Sequence, residues 1–124
     1  QYDLGLYMAH VRMAEIYESQ RKYPQAIKER RRAVNANPDD STLLMDLGIT
    51  LGKAGQFAEA EEYLAQARAA NPRHAMMPFW LGLAQMQQQE FDRAKESFSI
   101  FLEMAPARYE QQLTMARQNL AKIE

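Results

Sequence analysis

The chain has 124 residues, the size of one domain, and a domain of that length buries roughly two-thirds of the surface its unfolded chain exposes. Fifteen Lys and Arg against sixteen Asp and Glu leave a formal charge of -1, which supplies no global field to recruit nucleic acid or an anionic membrane. The absence of cysteine excludes disulfides and thiolate zinc sites, and leaves the redox compartment undetermined. No apolar run approaches the roughly 18 residues that span a bilayer, and no signal-peptide pattern opens the chain. A soluble protein compatible with cytoplasm or periplasm is expected. Because the first residue is Gln1 and not Met, it is expected to be an excised or processed piece of something longer.

Taken in order, Asp3 can cap a first helix from about Leu4 to Arg21, with Leu6, Met13, Ile16 and Tyr17 among its apolar positions. Lys22-Tyr23-Pro24 turns the chain, and Pro24 suits the first position of a second helix that runs to about Asn35. Asn37-Pro38-Asp39-Asp40-Ser41 breaks it and offers caps for a third, Thr42 to Lys53. Ala54-Gly55-Gln56 makes the next turn, with Gly55 where a left-handed C-terminus favours a residue without Cβ. Phe57 to Ala70 runs back, and Asn71-Pro72-Arg73-His74 closes that pair. Pro78 is tolerated in the first turn of a helix from near Met77 to near Gln88, because N–H groups there have no intrahelical acceptor. Glu90 to Met104 follows. From Arg108 a last helix carries Tyr109, Leu113, Ala116, Leu120 and Ile123 as a single apolar stripe. One greasy face and one wet face suit the end of a repeat stack.

These elements recur. Leu47-Gly48 returns as Leu81-Gly82, Phe57-Ala58-Glu59-Ala60 as Phe91-Asp92-Arg93-Ala94, and Asn71-Pro72 as Ala105-Pro106, each offset by 34 residues. The same step backwards reaches Met13-Ala14, Tyr23-Pro24-Gln25-Ala26 and Asn37-Pro38. A fixed period of this length marks a repeat architecture.

The chain resembles the tetratricopeptide repeat (TPR) family over nearly its whole length. With units starting at Tyr7, Ser41 and Ala75, position 8 is Ala14, Gly48 and Gly82; position 20 is Ala26, Ala60 and Ala94; position 32 is Pro38, Pro72 and Pro106. Small residues at positions 8 and 20 let the two helices of a unit approach closely. Position 24 departs from the pattern in the first unit, where Arg30 stands in place of Leu64 and Phe98. The frequent tryptophan at position 4 is replaced by His10, Leu44 and Pro78. The resemblance implies an all-α right-handed solenoid of three helix pairs, 7–40, 41–74 and 75–108, with a capping helix over 109–124.

It also implies a concave surface lined by the first helix of each unit. Carried over position by position, that surface comprises Met8, Val11, Arg12, Glu15, Glu18 and Ser19; then Thr42, Met45, Asp46, Ile49, Gly52 and Lys53; then Met76, Phe79, Trp80, Leu83, Met86 and Gln87. Such a groove is acidic and mixed at its amino end and apolar at its carboxyl end. A hydrophobic anchor pocket is expected around Phe79, Trp80 and Met45, since Met adapts to irregular partners and Trp anchors interfaces. The alternative is that the terminal helix folds over the stripe of Met76, Phe79, Leu83 and Met86, or that Trp80 packs between units. Some TPR modules clamp a partner's C-terminal carboxylate with Lys, Asn and Arg. At those places this chain carries Val11, Glu15, Asp46, Met76 and Trp80, so that clamp is absent.

Lys28, Arg30, Arg31 and Arg32, with Glu29 between them, read as a solvated face on the convex side of a second helix, with no aromatic residues interleaved to stack bases. His10 and His74 have no partner at metal spacing; Asp39-Asp40 and Glu61-Glu62 are a cap and a wet face. No cofactor, metal site or catalytic constellation is expected, and the chain is not read as an enzyme. The expected function is a protein–protein interaction scaffold for a peptide or partner segment with bulky apolar side chains. The alternatives are a homo-oligomerisation module, which a concentration-independent monomer in light scattering would rule out, or an accessory domain of a larger enzyme or membrane-anchored assembly protein.

Overall fold

The periodic segments all become helices. In the computed structural model, which describes residues 4–123 with side chains over 7–123, the elements are α1 (Leu4–Ser19), α2 (Tyr23–Ala36), α3 (Ser41–Lys53), α4 (Phe57–Ala70), α5 (Met77–Gln87), α6 (Phe91–Met104) and α7 (Glu110–Ile123). The expected cap at Asp3 and the Leu6 side chain lie outside the described residues. Consecutive helices pack as α1 on α2, α3 on α4 and α5 on α6, and each pair meets the next through α2–α3, α4–α5 and α6–α7. The result is an all-α helical-repeat solenoid. None of its described helices is long and apolar enough to cross a membrane.

The repeat extends to single hydrogen bonds. The N–H groups of Lys22, Gln56 and Glu90 donate to the carbonyls of Tyr17, Leu51 and Gln85 at 2.8, 2.9 and 2.9 Å, and those of Arg21, Gly55 and Gln89 to Glu18, Gly52 and Met86 at 2.9, 3.0 and 3.0 Å. Both sets step by 34 residues. This double closure satisfies carbonyls that a helix end otherwise leaves open, and its central residue must be left-handed. Gly55 accordingly has φ +82°, and Arg21 and Gln89 are held at +58° and +62°. A side chain in that region costs roughly 1–2 kcal/mol. Gln89→Gly is therefore expected to stabilise the fold by up to about 1 kcal/mol, against glycine's greater freedom in the unfolded chain; urea melts of the two proteins check it. The turn before α3 uses a side chain instead, the Asp40 carboxylate accepting from the N–H groups of Thr42 at 2.9 Å and Leu43 at 3.1 Å.

Small residues set the distance between paired helices. Ala14, Ala26, Ala60 and Ala94 are fully buried. A Cβ added to Gly48 would lie 2.7 Å from Leu64 Cγ, and one added to Gly82 2.8 Å from the Phe98 ring. The glycine at position 8 thus makes room for the bulk at position 24. Apolar side chains gather in two clusters. The first spans α2 to α5 around Leu47, Leu51, Leu64 and Met77. The second joins α5, α6 and α7 through Phe79, Phe98, Phe101 and Ala116. Within the second, Tyr109 just before α7 and Leu113, Leu120 and Ile123 of α7 pack inward as their spacing predicts, while Met115, off the stripe, stays exposed. The buried Gln85 side chain is satisfied, accepting from Ser97 at 2.7 Å and donating to Glu61 at 3.1 Å.

Candidate functional site

The junctions between successive helix pairs share one backbone plan, but different side chains fill them. At the first, Arg30 reaches from α2 into the interior and is 7% exposed. Its Nε donates to the Thr50 hydroxyl at 2.8 Å, its Nη2 donates to a Glu18 carboxylate oxygen, and its Nη1 lies 3.8 Å from Asp46. The Thr50 oxygen is 2.7 Å from the other Glu18 oxygen and 2.9 Å from the Asp46 carbonyl, so its one proton has two acceptors. Lys53 Nζ approaches Glu18 at 3.7 Å. Burial alone would raise the Glu18 pKa, but hydrogen bonds from Thr50 and Arg30 and the charges of Arg30 and Lys53 outweigh it and hold the carboxyl below its ordinary value. Asp46 goes the other way. Burial pushes it up, the Glu18, Glu15 and Asp40 carboxylates push it further, and Arg30 offsets only part.

Thirty-four residues on, the same places hold Gly52 for Glu18, Leu64 for Arg30, Trp80 for Asp46, Ala84 for Thr50 and Gln87 for Lys53. Removing the two long charged side chains leaves a cleft of about 250 Å³ between α3, α4 and α5. Its lining is mostly apolar, with Ile49, Leu64, Trp80, Leu83 and Ala84 forming the walls and Lys53 and Gln87 as polar members. A Cβ added to Gly52 would meet nothing within 4 Å. The volume falls below the roughly 300–1,000 Å³ typical of small-molecule and cofactor pockets. It suits a side chain.

Of the residues the sequence places on the groove, Ile49, Gly52, Lys53, Trp80, Leu83 and Gln87 line this cleft. Met8, Arg12 and Glu15 are exposed on α1, and Asp46 stands half-buried at the first junction. Val11 and Met45 pack half-buried against the first cluster, Met76 and Met86 against the second. Phe79 is corrected. It is 2% exposed, its ring centroid 5.1 Å from that of Phe101 and 6.4 Å from that of Phe98. Val11, Met45 and Phe79 share position 5, which faces the seams between helices, and at the last seam α7 seals the ring away. Phe79 and Met45 therefore belong to different clusters and do not form one pocket. Trp80 bridges them, partly exposed, packed on both clusters and edge-on to Phe79 at 5.3 Å.

The basic run on α2 is corrected as well. Lys28 and Arg32 are exposed and Arg31 pairs with Glu59 at 2.6 Å, but Arg30 points inward. A signal for this was present: an arginine at a position that is Leu64 and Phe98 elsewhere, with Glu18 and Thr50 in facing registers. Ala60 and Leu64 also line the cleft, although in the sequence they read as core. Among the described residues, no three His, Asp or Glu side chains are grouped as metal ligands would be.

Two sequence models of the tetratricopeptide repeat match the chain, over residues 6–73 and 45–109. No curated protein matches it by sequence. Among solved structures, the first TPR of Spaghetti (RPAP3) bound to the HSP90 peptide SRMEEVD is 24% identical, with a TM-score of 0.86 over 98% of this chain and 93% of that one. The second TPR domain of human RPAP3, in complex with the HSP70 peptide SGPTIEEVD, is 21% identical with a TM-score of 0.83, covering 95% and 94%. The Yersinia enterocolitica type III secretion chaperone SycD, in complex with a peptide of the translocator YopD, is 19% identical with a TM-score of 0.84, covering 96% and 89%. With the 34-residue period carried from sequence to backbone hydrogen bonds, and with family models that each match more than half its length, the chain belongs to the tetratricopeptide repeat family.

Proposed function

We propose that the chain is a non-catalytic interaction scaffold that takes a peptide or partner segment on the concave face formed by α1, α3 and α5. A bulky apolar side chain of the partner enters the cleft beside Gly52 and Trp80. One observation carries this reading: the second junction keeps open and apolar a space that the first fills with Glu18 and Arg30. Fully burying a large apolar side chain contributes about 1.5–3 kcal/mol, enough for a central anchor. Further support comes from the neighbours of similar fold, each solved with a peptide bound.

The test is to plug the cleft without touching the core. Gly52→Leu replaces a helical glycine whose Cβ direction is empty, so stability is expected to hold or rise by up to about 1 kcal/mol. Peptides selected from a displayed random library on the wild-type chain should lose at least about tenfold in affinity for this variant, the equivalent of roughly 1.4 kcal/mol. Undiminished binding by a normally folded Gly52→Leu protein would rule out the cleft as the anchor.

A further inference from the structure

The charge distribution beside the cleft specifies a partner more closely, given the docking reading above. The carboxylates on this face are not equally neutralised. Glu18 takes Arg30 and Lys53. Among the described residues Asp46, with its side chain 31% exposed, has only Arg30 at 3.8 Å, and that guanidinium is already committed to Glu18 and Thr50. Glu15 is exposed, close enough to act on Asp46, and forms no ion pair among the described residues. Arg12, one turn before Glu15 on α1, is exposed and forms none with it either. Among the described residues Asp46 therefore keeps only a share of one cation, and Glu15 is in no ion pair, with the exposed Arg12 as the cation on its own helix. Asp46 shares α3 with the cleft residues Ile49, Gly52 and Lys53, so at about 1.5 Å of rise per residue roughly 5–10 Å along the helix separates it from the cleft. An extended chain rising about 3.3 Å per residue crosses that in two or three residues.

We infer that the partner is an extended peptide segment with a bulky apolar side chain for the Gly52–Trp80 cleft and a lysine or arginine two or three residues away for Glu15 and Asp46. A cation there relieves the crowding that burial and like charge impose on Asp46. The Glu-Glu-Val-Asp ending of the peptides SRMEEVD and SGPTIEEVD, bound by two of the neighbours, would instead bring acid to acid.

Selection of a random displayed peptide library on the full chain tests this. Enriched sequences should carry Leu, Met, Phe or Trp with Lys or Arg two or three places off, and the synthetic peptide SRMEEVD should not compete with them. Raising salt should weaken capture, and the Glu15→Lys/Asp46→Asn variant, melting as the wild type does, should lose about fivefold. Apolar binders without a basic bias, acidic binders, or competition by SRMEEVD would overturn the charge inference while leaving the docking reading intact. If selection yields no binders, or binders that Gly52→Leu retains, the docking reading fails and this inference with it.

Discussion

Replacing Arg30 with leucine, the residue found 34 positions later, is expected to destabilise the fold by about 3–5 kcal/mol and lower its melting temperature by roughly 10–20 °C. The substitution looks conservative by register and is not so by charge. Arg30 is 7% exposed and supplies the guanidinium to which Glu18, Thr50 and Asp46 all turn. Without it, two carboxylates remain side by side in a poorly hydrated seam, with the exposed Lys53 ammonium at 3.7 Å from Glu18 as their nearest replacement. Removing one partner of a buried pair costs far more than replacing the whole set with apolar groups. Glu18→Met, which installs the third unit's residue at this register, Met86, should therefore recover most of the loss when combined with Arg30→Leu. The pH dependence has a definite sign. Glu18 has a folded pKa below its ordinary 4.5, so its contribution is complete above that value and is lost as pH falls through the folded pKa. Asp46, raised from 3.8, acts oppositely, gaining native-state protonation as pH falls. In the Arg30→Leu protein neither carboxylate need stay charged in acid, so the cost of the substitution should shrink between pH 7 and pH 4. Paired urea melts at the two values measure this. A cost under about 1 kcal/mol at pH 7 would mean that water already screens the network, as at an ordinary surface pair.

The sequence shows the scaffold more completely than the site because the two rest on different physics. Helix pairing depends on a small residue at one fixed place and bulk at another, and Ala14, Gly48 and Gly82 declare this in the chain itself. The turns are equally legible: Gly55 announces a left-handed residue, and the period extends that geometry to Arg21 and Gln89, whose side chains alone would never suggest it. The cleft is not legible in this way, because it arises from side chains that are absent. Leu64 reads as an ordinary core residue, and Gly52 as a bare groove position, until they are set against Arg30 and Glu18. Phe79 went the other way. Its apolar stripe reads equally as a surface for a partner or a seat for α7, and only the packing of Leu113, Ala116 and Leu120 against the same cluster decides between them.

That decision makes Phe79→Ala a stability variant, with an expected loss of about 3–5 kcal/mol. The ring is 2% exposed and lies among Trp80, Phe98 and Phe101, with centroids 5.3, 6.4 and 5.1 Å away. Truncation opens a cavity in the cluster where α5, α6 and α7 converge, beneath the apolar stripe of α7. Trp80 is the protein's one tryptophan and packs edge-on to Phe79, so its fluorescence reports directly on this cluster. The urea midpoint followed by that signal should fall, and Met45→Ala, at a half-buried site, should lower it less. Binding should separate the two roles. Phe79 does not line the cleft, so under conditions where Phe79→Ala remains folded, selected peptides should bind it within a few-fold of wild type. Gly52→Leu should show the converse, stable but at least about tenfold weaker in binding. A Phe79→Ala protein with an unchanged urea midpoint and no peptide capture would mean that the ring turns outward to meet the partner.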